Sequence, residues 1–186
     1  MTDHDPSEAR DFLARLATGD REAADELYRD LAGGVRRYCR HLLGDPASAE
    51  DAAQNTFLAV LGKAGQVRDG ASLRSWVFRI ARNECLLAAR KRSHALPLDE
   101  EPGTPDDDTP LALVISGELR DAVREAVRIL PPIYREAIVL REFEGLSYRE
   151  IADAIGMPVS TVKFRLFKAR ERLVELLQGV LDDRRV

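Results

Sequence analysis

Two stretches of this 186-residue chain interleave cationic side chains with aromatic rings. The first, Ser72 to Arg92, reads SLRSWVFRIARNECLLAARKR and sets Arg74, Arg79, Arg82, Asn83 and Arg90 around Trp76 and Phe78. Guanidinium groups track a phosphate backbone, and a ring or pocket can receive an unstacked base, at about 1–3 kcal/mol per base. That combination suits single-stranded nucleic acid. The second stretch carries Ser160, Thr161, Lys163, Phe164, Arg165, Phe167 and Lys168 within twenty-eight residues, Leu146 to Leu173. Hydroxyls near a helix start reach phosphates or base edges, and Lys and Arg offer charge to phosphate and donors to guanine in a major groove. The plainer alternatives are that Trp76 and Phe78 are core residues, and that the second stretch is a helical hairpin with a solvated basic face.

The elements that must position these residues are all helical. Ala, Leu, Arg and Glu dominate, and no stretch sustains period-two alternation. Asp5-Pro6, Gly19-Asp20 and Gly44-Asp45-Pro46 read as stop-and-start signals of three successive helices. In the second of these, Ala24, Leu27, Leu31, Val35, Tyr38 and Leu42 recur at three- and four-residue steps and form one buried stripe. Gly33-Gly34 weakens it mid-way. The third runs to about Lys63, with Ala53, Phe57, Val60 and Leu61 inward. A glycine-bracketed loop from Lys63 to Ala71 is a natural pocket for a flipped-out base. A fourth helix then runs from about Ser72 to Arg92, with Val77, Ile80, Ala81, Leu86, Leu87 and Ala88 available to a core.

HALPLDEEPGTPDDDTP, with four prolines and six acidic residues, has no hydrophobic period and reads as a linker. Beyond it the pattern predicts helices over Leu111–Leu130, from Pro132 to Gly145, from Ser147 to Ile155, and from Val159 to Leu181. Gly156-Met157-Pro158 supplies the sharp turn of a helix-turn-helix. Val159, Val162 and Leu166 point its second helix inward, leaving the basic side out. The expected architecture is all-α: two small domains, residues 1–92 and 111–186, joined by an acidic linker over 93–110.

The charge balance narrows the function. A net charge of −4 rules out a uniformly basic binder. The charge is unevenly spread, however: +6 over residues 63–92, −7 over 93–118 and +3 over 159–186. Two basic blocks thus flank an acidic one. Two cysteines, Cys39 and Cys85, exclude a disulfide framework or a Cys-based zinc site and read as small buried residues. The polar, acidic opening MTDHDPSEAR is unlike a signal peptide, and no apolar run reaches membrane-spanning length. A reducing cytoplasm is the expected location.

Taken together these stretches resemble a bacterial RNA polymerase sigma factor of the small extracytoplasmic-function (ECF) group. LATGDREAADELYRDL resembles the opening of the family's first conserved region, and AEDAAQNTFLAVLGKA its core-polymerase-binding helix. LRSWVFRIARNECLLAARKR resembles the helix that melts and reads the −10 element. LPPIYREAIVLREFEGLSYREIADAIGMPVSTVKFRLFKARERL resembles the domain that reads the −35 element. The resemblance implies that Asp51, Gln54 and Asn55 face the polymerase's clamp helices. It implies that Trp76, Phe78, Arg79 and Asn83 handle the −10 strand. Ser160, Thr161, Lys163, Phe164, Arg165 and Lys168 would contact the −35 duplex. It further implies core RNA polymerase, promoter DNA and an anti-sigma protein, often membrane-anchored, as partners, with no cofactor and no small-molecule substrate. Two departures stand out. Phe164 is bulky where many relatives carry a small polar residue, and Gly33-Gly34 interrupts a long helix.

Two other readings use the same residues. A helix-turn-helix regulator could bind operator duplex without polymerase, but it leaves the basic aromatic helix unexplained. His41, Asp45, Glu50 and Asp51 cluster in sequence as metal ligands might, yet the Gly44-Asp45-Pro46 break scatters them over different faces and reads better as a cap.

Overall fold

A computed structural model describes residues 6–66, 72–94 and 117–183. The linker from residue 95 on, the loop from 67 to 71 and Asp5 lie outside the described residues. Among those described there are eight α-helices and no strand. They are α1 (Pro6–Ala17), α2 (Arg21–Leu43), α3 (Pro46–Lys63), α4 (Leu73–His94), α5 (Gly117–Ile129), α6 (Pro132–Ile138), α7 (Tyr148–Ile155) and α8 (Val159–Asp183), with a 3₁₀ turn at Ala64–Gln66.

The expected punctuation is where the helices start and stop. The Asp20 carboxylate accepts the backbone N–H groups of Glu22 (2.9 Å) and Ala23 (3.2 Å). Gly44 closes α2 in the left-handed conformation at φ 71°, and Asp45 caps α3 by accepting from the Ser48 N–H at 2.8 Å. Ser147 and Glu150 form a reciprocal capping box at the start of α7. Gly156, at φ 68°, ends that helix and makes the turn into α8.

In the first half, α2, α3 and α4 bury Leu27, Val35 and Tyr38 against Phe57, Val60, Val77, Phe78 and Ala81. Three expected core residues are instead exposed: Leu61, Leu86 and Leu87. The buried stripe of α3 passes through Ala49, Ala52, Ala53, Thr56 and Val60, so Leu61 falls beside it. On α4 the stripe continues from Ala81 to Cys85, which turns the two following leucines outward. Cys39 and Cys85 are both buried free thiols, as expected of small apolar residues. In the second half, Leu140, Ile151, Ile155, Val162 and Leu166 form the interior around the helix-turn-helix.

The helix expected from Pro132 to Gly145 comes in two pieces. After α6 the backbone widens into a π-helical turn, Val139–Phe143. Its register continues in the Glu144 N–H donating to the Val139 carbonyl at 3.1 Å, and the Leu146 N–H then reaches back six residues to the Leu140 carbonyl at 3.0 Å. One extra residue per turn swings Phe143 and Glu144 toward the first half. Phe143 meets His41 edge-on, with ring centroids 5.0 Å apart. The two halves share one continuous apolar core.

Candidate nucleic-acid interface

The second helix of the helix-turn-helix is α8. Val162, Leu166 and Ala169 pin it to the domain interior. The opposite side carries Ser160, Lys163, Phe164 and Phe167 at steps of three, four and seven residues, all exposed. Thr161 is half-buried at its edge. Lys168 pairs with Glu171 at 2.7 Å, and its ammonium lies 5.7 Å from the Phe167 ring centroid. Arg165 departs from the expected outward placement. It flanks the buried stripe, and its guanidinium turns inward to Glu136, Nη1 to Oε2 3.7 Å, with its side chain 13% exposed.

On α3, Asp51, Gln54 and Asn55 are all exposed on one face, as expected. Sequence reasoning missed that Leu58, 68% exposed, extends the same stripe by one turn. The three-, four- and seven-residue spacing from Asp51 was the available signal. Gln54 donates to the Glu50 carboxylate at 3.4 Å.

On α4 the four residues expected at the −10 strand are divided. Arg79 and Asn83 are exposed. Trp76 and Phe78 are interior, at 6% and 1% exposure. Phe78 packs edge-to-face on Tyr38, with ring centroids 5.5 Å apart. Trp76, Ser75 and Arg79 line one wall of a cleft of about 560 Å³ whose other wall is Asp153, Met157 and Pro158 of the helix-turn-helix. The two expected DNA-reading units therefore face each other. Trp76 is covered where α7 lies against α4, whereas Phe78 is covered within the first half and is a core residue there.

Polar ties hold that contact. Glu136, on α6 and buried, accepts the Tyr38 hydroxyl at 3.1 Å and Arg82 Nε at 2.7 Å on one oxygen, and pairs with Arg165 through the other. Burial and the neighbouring Glu136 carboxylate push the Tyr38 phenol well above its ordinary range. Glu144, carried by the π-turn, takes a two-pronged contact from Arg37, Nε to Oε1 2.8 Å and Nη2 to Oε2 3.2 Å. Burial raises the Glu144 carboxyl despite that partner. Arg74 donates to the Glu144 carbonyl. Ser72 donates to Glu150, the capping-box carboxylate, at 2.7 Å. Arg135 reaches back to the His41 carbonyl at 3.1 Å.

These ties account for half of the glycine pair. A Cβ on Gly34 would collide with the Glu144 carboxyl and touch Phe78, whereas one on Gly33 would meet nothing. The metal-ligand alternative does not assemble. His41 lies edge-on to Phe143, Asp45 caps α3, and among the described residues no three His, Cys, Asp or Glu side chains gather as a metal site.

Comparison with known proteins follows the same division. Residues 27–95 match the family model for sigma-70 region 2, and residues 120–173 that for sigma-70 region 4. The chain is 31% identical over 183 residues to the RNA polymerase sigma-H factor of Pseudomonas aeruginosa, covering 92% of this chain and 95% of that one. It is 34% identical over 168 residues to the ECF RNA polymerase sigma factor SigE of Mycolicibacterium smegmatis, where it covers 87% of itself but spans only 65% of that relative's length. Among solved structures, the sigma factor RpoE in complex with the anti-sigma factor NepR from Bartonella quintana superposes with a TM-score of 0.70 at 28% identity, covering 83% of this chain and 96% of that one.

Proposed function

We propose, from the premise that this chain belongs to the ECF group of bacterial RNA polymerase sigma factors, a division of labour among its helices in transcription initiation. The protein binds core RNA polymerase, directs it to particular promoters and promotes opening of the −10 element. The face of α3 bearing Asp51, Gln54, Asn55 and Leu58 docks on the polymerase. The outward stripe of α8 enters the major groove of the −35 duplex, with Ser160 and Lys163 on phosphate or base edges. Lys168 serves the same duplex once released from Glu171, and so does Arg165 once released from Glu136. Arg79 and Asn83 hold the −10 strand, and Trp76 joins them when α7 withdraws, while Phe78 stays in the core beneath. Opening costs a few kcal/mol of unstacking and unpairing. Capture of the separated strand on a basic helix offsets it.

The two helical units act as separate domains on DNA. The element names put them nominally twenty-five base pairs apart, about 85 Å of duplex axis at 3.4 Å per base pair. A packed domain of about 100 residues has a radius of gyration of only about 13 Å. The closed arrangement described above is accordingly the resting form, and the promoter complex is open. A protein anti-sigma partner fits a chain of this shape, by analogy with the complex of RpoE and NepR. The reading carries no catalytic step, in keeping with the family, and places the protein in the cytoplasm. No described helix is long and apolar enough to cross a membrane.

The observation that carries the reading is the pairing, in one chain, of an exposed Asp51–Gln54–Asn55 face on a region 2 match with an outward basic-aromatic stripe on a region 4 match. The test is transcription in vitro from fragmented genomic DNA by bacterial core polymerase, with and without the protein. Protein-dependent starts sharing two upstream motifs are expected. No dependent starts, together with tight binding of the free protein to duplex, would instead identify a polymerase-independent regulator.

A further inference from the structure

Resting on the reading of α8 as the −35 helix, we propose that Phe164 determines specificity by packing on the C5-methyl group of a thymine in the major groove. The chain has six phenylalanines, and Phe57, Phe78 and Phe143 are buried while Phe12 packs against the core. Only Phe164 and Phe167 stand in solvent, at 56% and 61% exposure, and both lie on the outward stripe of α8. A phenyl ring makes no hydrogen bond to phosphate. Its complement in a major groove is apolar, and thymine alone among the unmodified bases presents a methyl there.

The cationic readers of this helix are partly committed elsewhere. Arg165 is tied to Glu136 and Lys168 to Glu171, which leaves Ser160, Lys163 and the two rings as the stripe's open contacts. Of the two rings, Phe164 is nearer the helix start, where recognition helices meet base edges. Phe167 lies a turn further on beneath the Lys168 ammonium. Phe164 is therefore the ring placed to read a base.

The experiment uses holoenzyme assembled from the full chain and core polymerase on a promoter it selects. Each −35 thymine on either strand is replaced in turn by deoxyuridine, which removes the methyl and leaves every hydrogen-bonding group. At one thymine, binding is expected to fall about fourfold, the transfer free energy of one methyl group. In Phe164→Ser that deoxyuridine effect is expected to vanish, while Phe164→Leu retains part of it. The side chain is exposed, and thermal unfolding of each variant establishes that it folds. Placing 5-methylcytosine at the reading position in place of cytosine is expected to restore part of the affinity. A methyl effect that survives in Phe164→Ser would overturn the proposal. So would the absence of any methyl-sensitive thymine at a promoter whose −35 duplex is otherwise required. A holoenzyme indifferent to scrambling of the whole −35 duplex would overturn the assignment of α8 itself, and the inference with it.

Discussion

His41 shows how one side chain can report the state of the contact between the halves. It lies against Phe143, and Arg135, Arg37 and Arg124 surround it. Burial first, and then those three cations, push its pKa down from 6.5 to about 4. In the unfolded or separated state the imidazole regains its ordinary value. Between pH 6.5 and 4 that state binds the extra proton, so stability falls as pH drops through this window. Allowing for partial exposure, the loss is about 2 kcal/mol by pH 4. Glu144 works in the other direction. Its raised pKa means that the folded form takes up a proton more readily as pH falls. Urea denaturation at pH 7.5 and 5.0 should show a larger loss for wild type than for His41→Gln, and equal losses would refute the assignment. Glu136 is the second residue of this kind. Its carboxylate serves Tyr38, Arg82 and Arg165 together. Glu136→Gln keeps the shape but leaves two guanidinium groups without their counter-charge, at a cost of about 1–3 kcal/mol in the same denaturation experiment.

At the scale of elements, the chain announces its helices by their ends. Asp20, Asp45 and Ser147 each cap the helix that their position in sequence suggested. Such caps act within three or four residues, which is why they can be read without knowing the fold. Ser147→Ala should therefore cost about 1 kcal/mol. That is a drop of about 2–4 °C in thermal midpoint for a chain of this size. The outward stripes of α3 and α8 were legible in most positions, because periodicity sets them, but Leu58 was missed and Arg165 turns inward to Glu136. Less local features were hidden. The π-turn at Val139–Phe143 has no sequence signature, since one inserted residue in a helix is selected by what lies opposite it. Leu86 and Leu87 look like core residues by type, and only the register set by Cys85 turns them out. Trp76 and Phe78 were legible as aromatic and near cations, but the covering of Trp76 was hidden, because it comes from residues some seventy positions away. The two glycines of α2 look identical in sequence and differ only in their neighbours. Gly33→Ala should stabilise α2 by about 0.5–1 kcal/mol, because nothing opposes the added methyl. In Gly34→Ala the same gain is opposed by the displaced Glu144 carboxylate.

That difference gives control over the whole molecule. The described residues form a closed body in which the outward stripe of α8 is open to solvent while Trp76 and Phe78 of α4 are buried. Each tie crossing the contact joins residues far apart in sequence, Arg37 with Glu144 and Arg82 with Glu136, so losing any of them loosens the halves without unravelling a helix. Gly34→Ala acts at the centre of this contact. It drives a side chain into Glu144, weakens its hold on Arg37 and crowds Phe78. Trp76, the chain's one tryptophan, lies in the cleft between α4 and the helix-turn-helix and reports the outcome directly. In Gly34→Ala the contact between the halves should loosen. Acrylamide quenching of Trp76 should rise, its emission should shift to the red, and the radius of gyration by small-angle scattering should exceed the roughly 16 Å of a compact chain of this length. Binding of a single-stranded −10 oligonucleotide should tighten at the same time, because Trp76 is then uncovered to receive an unstacked base. Gly33→Ala, one residue away in the same helix, should leave all four measurements unchanged. If both variants behave alike, the glycine at 34 matters only for α2 itself, and the closed contact does not govern access to the strand-reading helix.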